Sequence, residues 1–258
     1  MRVFDIFLKK DMFYFPECII YFKFRSEFDL YKEIFNKLGI KFKILDDYRC
    51  SGYELWEAGY DFDFRKLARK NLDIFNENKI KRIFSTEPGS YKTFIKDYPE
   101  ILPDWDIEVI NIWDLILEKL NKKKSLFIQK NKIVTYHDSC YLGRYCKVYE
   151  APRNILKILG YDVKEMDNNK ENSFCCGSCG GLARTNPELA NKIARERITQ
   201  AKRIGVNKMV VIGFDNYNIL KNNSKNNDFQ ILELSHILAD ALNIRKLSNE
   251  NKLIENIN

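Results

Sequence analysis

Along this chain, short apolar runs alternate with longer stretches in which apolar residues recur every three or four positions. The segment "KIKRIFST", ending at Thr86, and "VNKMVVIGF" (206–214) read as buried strands, each preceded by a helical pattern. In "NPELANKIARERITQAKRIG", Asn186 predicts the cap, Pro187 the first helical position and Gly205 the end. Strands alternating with helices predict an α/β layered fold.

The plan then recurs. "YFPEC" (Cys18), "IFNKLGIKFKIL", "RCSGYELWEAG", "NKIKRIFSTEPGSYKTF" and "IEVINIWDLILEKL" are followed, in the same order, by "YHDSC" (Cys140), "ILKILGYDVKEM", "FCCGSCGG", "VNKMVVIGFDNYNIL" and "FQILELSHILADAL". Cys18 to Cys50 spans 32 positions and Cys140 to Cys175 spans 35; Cys50 to Ser90 spans 40 and Cys175 to Asn216 spans 41. Offsets this close predict two similar α/β units from internal duplication, residues 1–120 and 121–258, with the cysteine-bearing loops facing a common cleft. The basic stretch "KLNKKKSLFIQKNK" (119–132) would link them.

Composition narrows the function. With 258 residues, 45% of them hydrophobic, the chain can bury a sizeable core. No run approaches 18 uncharged apolar residues and the first residues carry no signal-peptide pattern, so neither a membrane span nor secretion is expected, and the location expected is cytoplasmic. The net charge of +7 comes from lysines interspersed with acids, the pattern of solvated helix faces, and does not point to nucleic acid. Phosphate-loop and dinucleotide glycine motifs do not occur.

Seven cysteines, an odd number and clustered, point to metal ligands or redox thiols rather than a disulfide framework. Three of them fall in "SFCCGSCGG" (173–181). Gly177, Gly180 and Gly181 let that backbone turn tightly and aim N–H groups at bound sulfur.

These residues carry a resemblance. "HDSCYLGR", "YEAPRNILKILG", "ENSFCCGSCGG" and "PELANKIARERI" resemble the cysteine-rich CCG-domain family typified by the B-type component of heterodisulfide reductase, over nearly the whole chain. The resemblance implies, in each half, a lone Cys, then Cys-Cys-Gly, then a Cys-x-x-Cys after a later strand, together holding a noncubane [4Fe-4S] cluster. Here Ser51 replaces the second Cys of the first motif, Glu87 and Ser90 stand at its terminal pair, and Gly213 and Asn216 stand at the other. The second half keeps Cys140, Cys175 and Cys176 and adds Cys179, a replacement thiol that restores the four ligands a [4Fe-4S] cluster takes, with Asp215 or Asn216 the oxygen alternatives. Vicinal cysteines disfavour zinc and strain a cube, so cubane and noncubane types both stay open.

Other candidates are weaker. Cys18, Cys50 and Glu87 form a candidate second site for one metal ion. His137, three residues before Cys140, is a candidate for cluster tuning, with a structural histidine as the default; His236 lies on an apolar helical pattern and reads as structural. Cys146 matches no family ligand. Arg144 and Arg153 either hold an anionic substrate or an acidic partner protein near the loops or pair with carboxylates.

The expectation is an iron–sulfur electron-transfer subunit in a larger redox complex of an anaerobe, degenerate in its first half, with iron–sulfur or flavin subunits as partners. The alternatives are a scaffold or assembly subunit with zinc or no metal, and an active disulfide reductase with two metal sites.

Overall fold

In the computed structural model, residues 12–45, 49–123, 127, 132–224 and 229–244 are described. The first eleven residues and most of the linking stretch between Lys123 and Lys132 lie outside them. Two four-stranded parallel sheets organise the chain. The first holds β1 (Met12–Tyr14), β2 (Phe42–Lys43), β3 (Arg82–Phe84) and β4 (Glu108–Val109) in the order β2-β1-β3-β4. The second holds β5 (Lys132–Tyr136), β6 (Tyr161–Val163), β7 (Lys208–Val211) and β8 (Gln230–Glu233) in the order β6-β5-β7-β8. The duplication expected from spacing is therefore present in topology.

It is also present in register. Tyr14 pairs with Phe84 and Tyr136 with Val210. Cys18 follows Tyr14 by four positions, as Cys140 follows Tyr136; Ser90 follows Phe84 by six, as Asn216 follows Val210. Both sheets reverse their strand order between the first and third strands in chain order, and the loops leaving the carboxyl ends of those strands meet there. In open α/β sheets this switch point is where ligands bind.

The strand expected to end at Thr86 stops at Phe84, and the side chains of the next two residues take one local and one long-range partner. Glu87 N–H donates to Ser85 Oγ at 3.2 Å, and the Thr86 and Tyr14 hydroxyls lie 3.1 Å apart. The helix Pro187–Arg203 forms as its ends predict. Asn186 Oδ1 accepts from Leu189 N–H at 3.1 Å, Ala190, Ala194, Ile198 and Ala201 make the buried face, and Gly205 lies beyond the end at φ 74°.

Alternation in the first strand assigns its two faces. Phe13 and Phe15 point to a cluster with Phe64, Phe75, Phe94 and Tyr98, beneath the Asp61–Glu77 helix. Tyr14 points the other way, stacked against Phe28 and Phe84 with ring centroids 5.9 and 5.2 Å away. That second core continues through Trp113 and Leu156 to Val134 and Met209 of the other sheet, so the helices Arg25–Leu38, Ile112–Asn121, Glu150–Ile158 and Leu234–Ala241 serve both halves. Each fully buried aromatic or aliphatic side chain contributes about 1.5–3 kcal/mol. No helix among the described residues is long and apolar enough to cross a membrane.

Candidate metal centre

In the second half, Cys140 follows the loop after β5 and meets the Cys175–Gly181 loop. The sulfurs of Cys140 and Cys179 lie 3.3 Å apart. Hydrogen bonding within that pair holds the Cys140 thiol below its usual range, aided by the Arg144 guanidinium, and pushes Cys179 up. Cys175 and Cys176 divide in the same way: the Cys176 contact, the Gly177 N–H at 3.3 Å and Arg144 bring Cys175 down to about 6, while Cys176, buried, is pushed well up. One sulfur of each couple is thus disposed to be a thiolate, the form that binds metal.

Ser178 ties the couples together. Its hydroxyl lies 3.2 Å from Cys176 Sγ and 3.3 Å from Cys179 Sγ, and it donates to Asn216 Oδ1 at 2.7 Å. Cys176 Sγ also donates to Asn216 Oδ1 at 3.1 Å, and Asn216 Nδ2 donates to Ile212 O, which fixes the amide. Gly177 holds φ at 87°, and a Cβ there would meet Ala190 O at 2.6 Å, so only glycine lets this loop lie on the Pro187–Arg203 helix.

The first half repeats the arrangement with fewer thiols. Cys18 and Cys50 sulfurs are 3.5 Å apart. Ser51 and Ser90 hydroxyls are 2.9 Å apart, at the positions corresponding to Cys176 and Asn216. The residue that completes this cluster is Glu17. Its Oε1 accepts from Cys18 N–H at 3.0 Å and from Cys50 Sγ at 3.3 Å, and its Oε2 accepts from Ser51 Oγ at 2.8 Å and from Ser90 Oγ.

Glu87, expected beside Cys18 and Cys50, turns to the other half. Its carboxylate accepts the Phe214 N–H, at 3.0 Å to Oε1 and 3.3 Å to Oε2. A Cβ on Gly213 would meet Pro88 Cδ at 2.7 Å and Glu87 Oε2 at 3.2 Å. The glycine at that terminal-pair position therefore makes room for the opposing loop. Glu17 escaped the sequence reading because a glutamate before a cysteine is commonplace. Its signal lay in alignment with Ser139, at the same distance from the lone cysteine.

The remaining candidates have structural partners. His137 is buried, its Nδ1 accepts from Arg197 Nε at 3.1 Å, and burial with that guanidinium holds it neutral. Arg153 forks onto Asp138 at 2.7 and 2.8 Å and onto Glu165 at 2.7 and 2.9 Å. Arg144 donates to Ser173 O at 2.6 Å, and His236 Nε2 lies 3.1 Å from Glu27 Oε2. Cys146 is half-buried, with its thiol pushed up to about 11 by burial.

A cleft of about 220 Å³ between the halves is lined by Tyr53, Glu54 and Glu57 of the helix that follows the Cys50 loop and by Cys179, Gly180 and Asp215 of the second half; Cys18 and Cys50 do not line it. Hydrogen bonds cross its walls. Tyr53 donates to Asp215 at 2.6 Å, Tyr141 to Glu57 at 2.5 Å, and Gly180 N–H to Glu57 at 3.1 Å.

The two sheets, with cysteine-bearing loops at their switch points, make a duplicated parallel α/β module of a cysteine-rich class. The chain belongs to the family of the CCG cysteine-rich domain, whose model matches residues 12–94 and 134–213. It is 36% identical over 185 residues to the probable iron-sulfur-binding oxidoreductase FadF of Bacillus subtilis, covering 70% of this chain and 26% of that protein. It is 32% identical over 200 residues to the D-type component of the dihydromethanophenazine:CoB--CoM heterodisulfide reductase of Methanosarcina mazei, covering 75% of this chain and 49% of that protein. The matched region thus spans at most about half of these relatives. A crystal structure of a hypothetical protein from Helicobacter pylori shares the fold, with a TM-score of 0.61 and 14% identity over 91% of this chain and 49% of that one.

The donor set of the second half fits an iron–sulfur cluster. It supplies four thiols, two of them disposed to ionise, beside a guanidinium. Among the described residues, the one group of acidic, cysteine or histidine ligand atoms all within 4.8 Å of one another is Glu17–Cys18–Cys50. The four second-half sulfurs are spread more widely than ligands of a single ion. Ser139, at the position of Glu17, has a buried hydroxyl with no partner among the described residues, a donor suited to an anionic cluster.

Proposed function

We propose that this chain is an iron–sulfur electron-transfer module of an oxidoreductase complex, holding one [4Fe-4S]-type cluster on Cys140, Cys175, Cys176 and Cys179. The observation that carries this reading is the gathering of four thiols at the second switch point in two couples too widely spread for a single ion. A bound cluster of this type supplies reversible one-electron chemistry.

The protein's own groups tune that chemistry. Gly177 N–H donates to Cys175 Sγ, Arg144 sets positive charge against Cys140 and Cys175, and the Ser139 hydroxyl supplies a further donor, all of which stabilise the more negative state. Electrons would pass to or from iron–sulfur or flavin subunits; the relatives' names support only an iron–sulfur oxidoreductase setting. With Ser51 and Ser90 in place of two first-half thiols, two clusters acting together on one disulfide are not proposed.

Anaerobic purification with iron and acid-labile sulfide analysis tests the reading. About four irons and four sulfides per chain are expected. Zinc in the second-half loop with no sulfide would refute the cluster and support a scaffold role.

A further inference from the structure

We propose that the first half binds a single zinc-class divalent cation through Glu17 Oε1, Cys18 Sγ and Cys50 Sγ, with a fourth position open to solvent. The proposal stands on first-half geometry and does not depend on a cluster in the second half.

A tetrahedral zinc ion with sulfur ligands at about 2.3 Å and an oxygen ligand at about 2.0 Å places the two sulfurs about 3.8 Å apart and each sulfur about 3.5 Å from the oxygen. The Cys18 and Cys50 sulfurs stand 3.5 Å apart, and Glu17 Oε1 stands 3.3 Å from Cys50 Sγ. All three ligand atoms lie within 4.8 Å of one another. Small outward shifts of flexible side chains would admit the ion.

Glu17 is prepared as a ligand. It is 1% exposed, and the hydrogen bonds it accepts come from the neutral donors Cys18 N–H, Cys50 Sγ, Ser51 Oγ and Ser90 Oγ. A buried carboxylate without a cation is costly, and a bound cation removes that cost. Its two oxygens have different surroundings. Ser51 and Ser90 both donate to Oε2, holding the carboxylate's orientation and leaving Oε1 to the sulfur side. Hydroxyls that orient a ligating carboxylate are the usual outer shell of a zinc site. Cys18 and Cys50 are half-buried, which leaves the fourth position accessible.

The two halves thus differ in charge type. The neutral Ser139 hydroxyl suits an anionic cluster, and the Glu17 carboxylate at the matching position suits a bare cation. Binding is balanced by proton release: the ion enters, both S–H bonds break, two metal–sulfur bonds form, and two protons leave to solvent.

The test uses the full chain, purified anaerobically with its iron in place, and counts zinc and iron by elemental mass spectrometry. About one zinc per chain is expected, and Glu17→Gln and Cys50→Ser should each lower zinc affinity by more than the about 10–100-fold that loss of an outer-shell partner costs, with iron unchanged. Cobalt offered in place of zinc should give a thiolate-to-cobalt absorption band that Cys50→Ser weakens and that Cys18→Ser combined with Cys50→Ser abolishes. Should Glu17→Gln fail to fold, Cys18→Ser, a smaller change at a half-exposed position, carries the same expectation. A wild-type chain that takes up neither zinc nor cobalt would overturn the site, as would zinc that survives both substitutions or that departs with Cys175→Ser. Loss of iron with zinc retained would instead refute the cluster reading and leave this one standing.

Discussion

The Glu87 carboxylate receives the Phe214 N–H across the seam between the halves, at 3.0 Å to Oε1. A carboxyl oxygen from the first terminal loop therefore satisfies the first N–H of the second half's Phe214–Asn223 helix, in space opened by Gly213.

That contact makes stability depend on pH. Burial, then the nearby Asp215 and the Glu233 and Glu17 carboxylates, raise the Glu87 carboxyl well above its usual range, against the lowering effect of the Phe214 N–H. The folded state then holds a proton that the unfolded state releases at about pH 4.3. Stability from this group is fully present below that pH and is lost as pH rises toward the folded value. Urea unfolding between about pH 4.5 and 8 should show Glu87→Gln with a flatter decline than the wild type, by up to about 1.4 kcal/mol per pH unit. Parallel slopes would mean that Glu87 ionises normally.

Cys179→Ala should remove most of the visible iron–sulfur absorbance and iron, because Cys179 is the thiol that partners Cys140. Cys146→Ala, on a thiol outside both proposed sites, should leave the spectrum intact. An unchanged spectrum in the Cys179 variant would redirect attention to an oxygen ligand, Asp215 or Asn216.

Gly177→Ala places a methyl 2.6 Å from Ala190 O at a φ of 87°. The expected cost is about 1–3 kcal/mol in denaturant unfolding, with iron content falling as the loop lifts from the helix. Gly180→Ala has no neighbour within 4 Å of the added methyl and should disturb the loop less.

Arg153→Ala should destabilise the protein by about 3–5 kcal/mol, since it strands the buried Asp138 carboxylate. Arg153→Lys keeps the charge and loses the fork, so it should fall between. An alanine variant of wild-type stability that fails only in electron transfer would give the arginine a role in docking instead.

Much of the architecture was legible because it is periodic. The two units follow from five recurring segments, and the helix after Asn186 from its cap, its proline and its glycine. The proximity of Cys18 and Cys50 was legible from their matched spacing. Glu17 and Ser90 were harder to see together, since their contact joins positions 73 residues apart and depends on how the loops after β1 and β3 turn. Glu87 was placed beside the wrong partners for a similar reason. Alignment of the halves puts it at a ligand position, whereas its bond to Phe214 spans 127 residues and arises only when the halves dock.

The helices that serve both sheets tie the fates of the two halves together. Tyr14 and Phe84 share one apolar core with Val134 and Met209, so neither half can be trimmed without uncovering the other's interior. Thiols at a loop tip can be exchanged one at a time at modest cost, but the sheet beneath them cannot. The first half, with fewer thiols at its switch point, thus still serves as a buttress for the second, and its loop is free to carry a different chemistry.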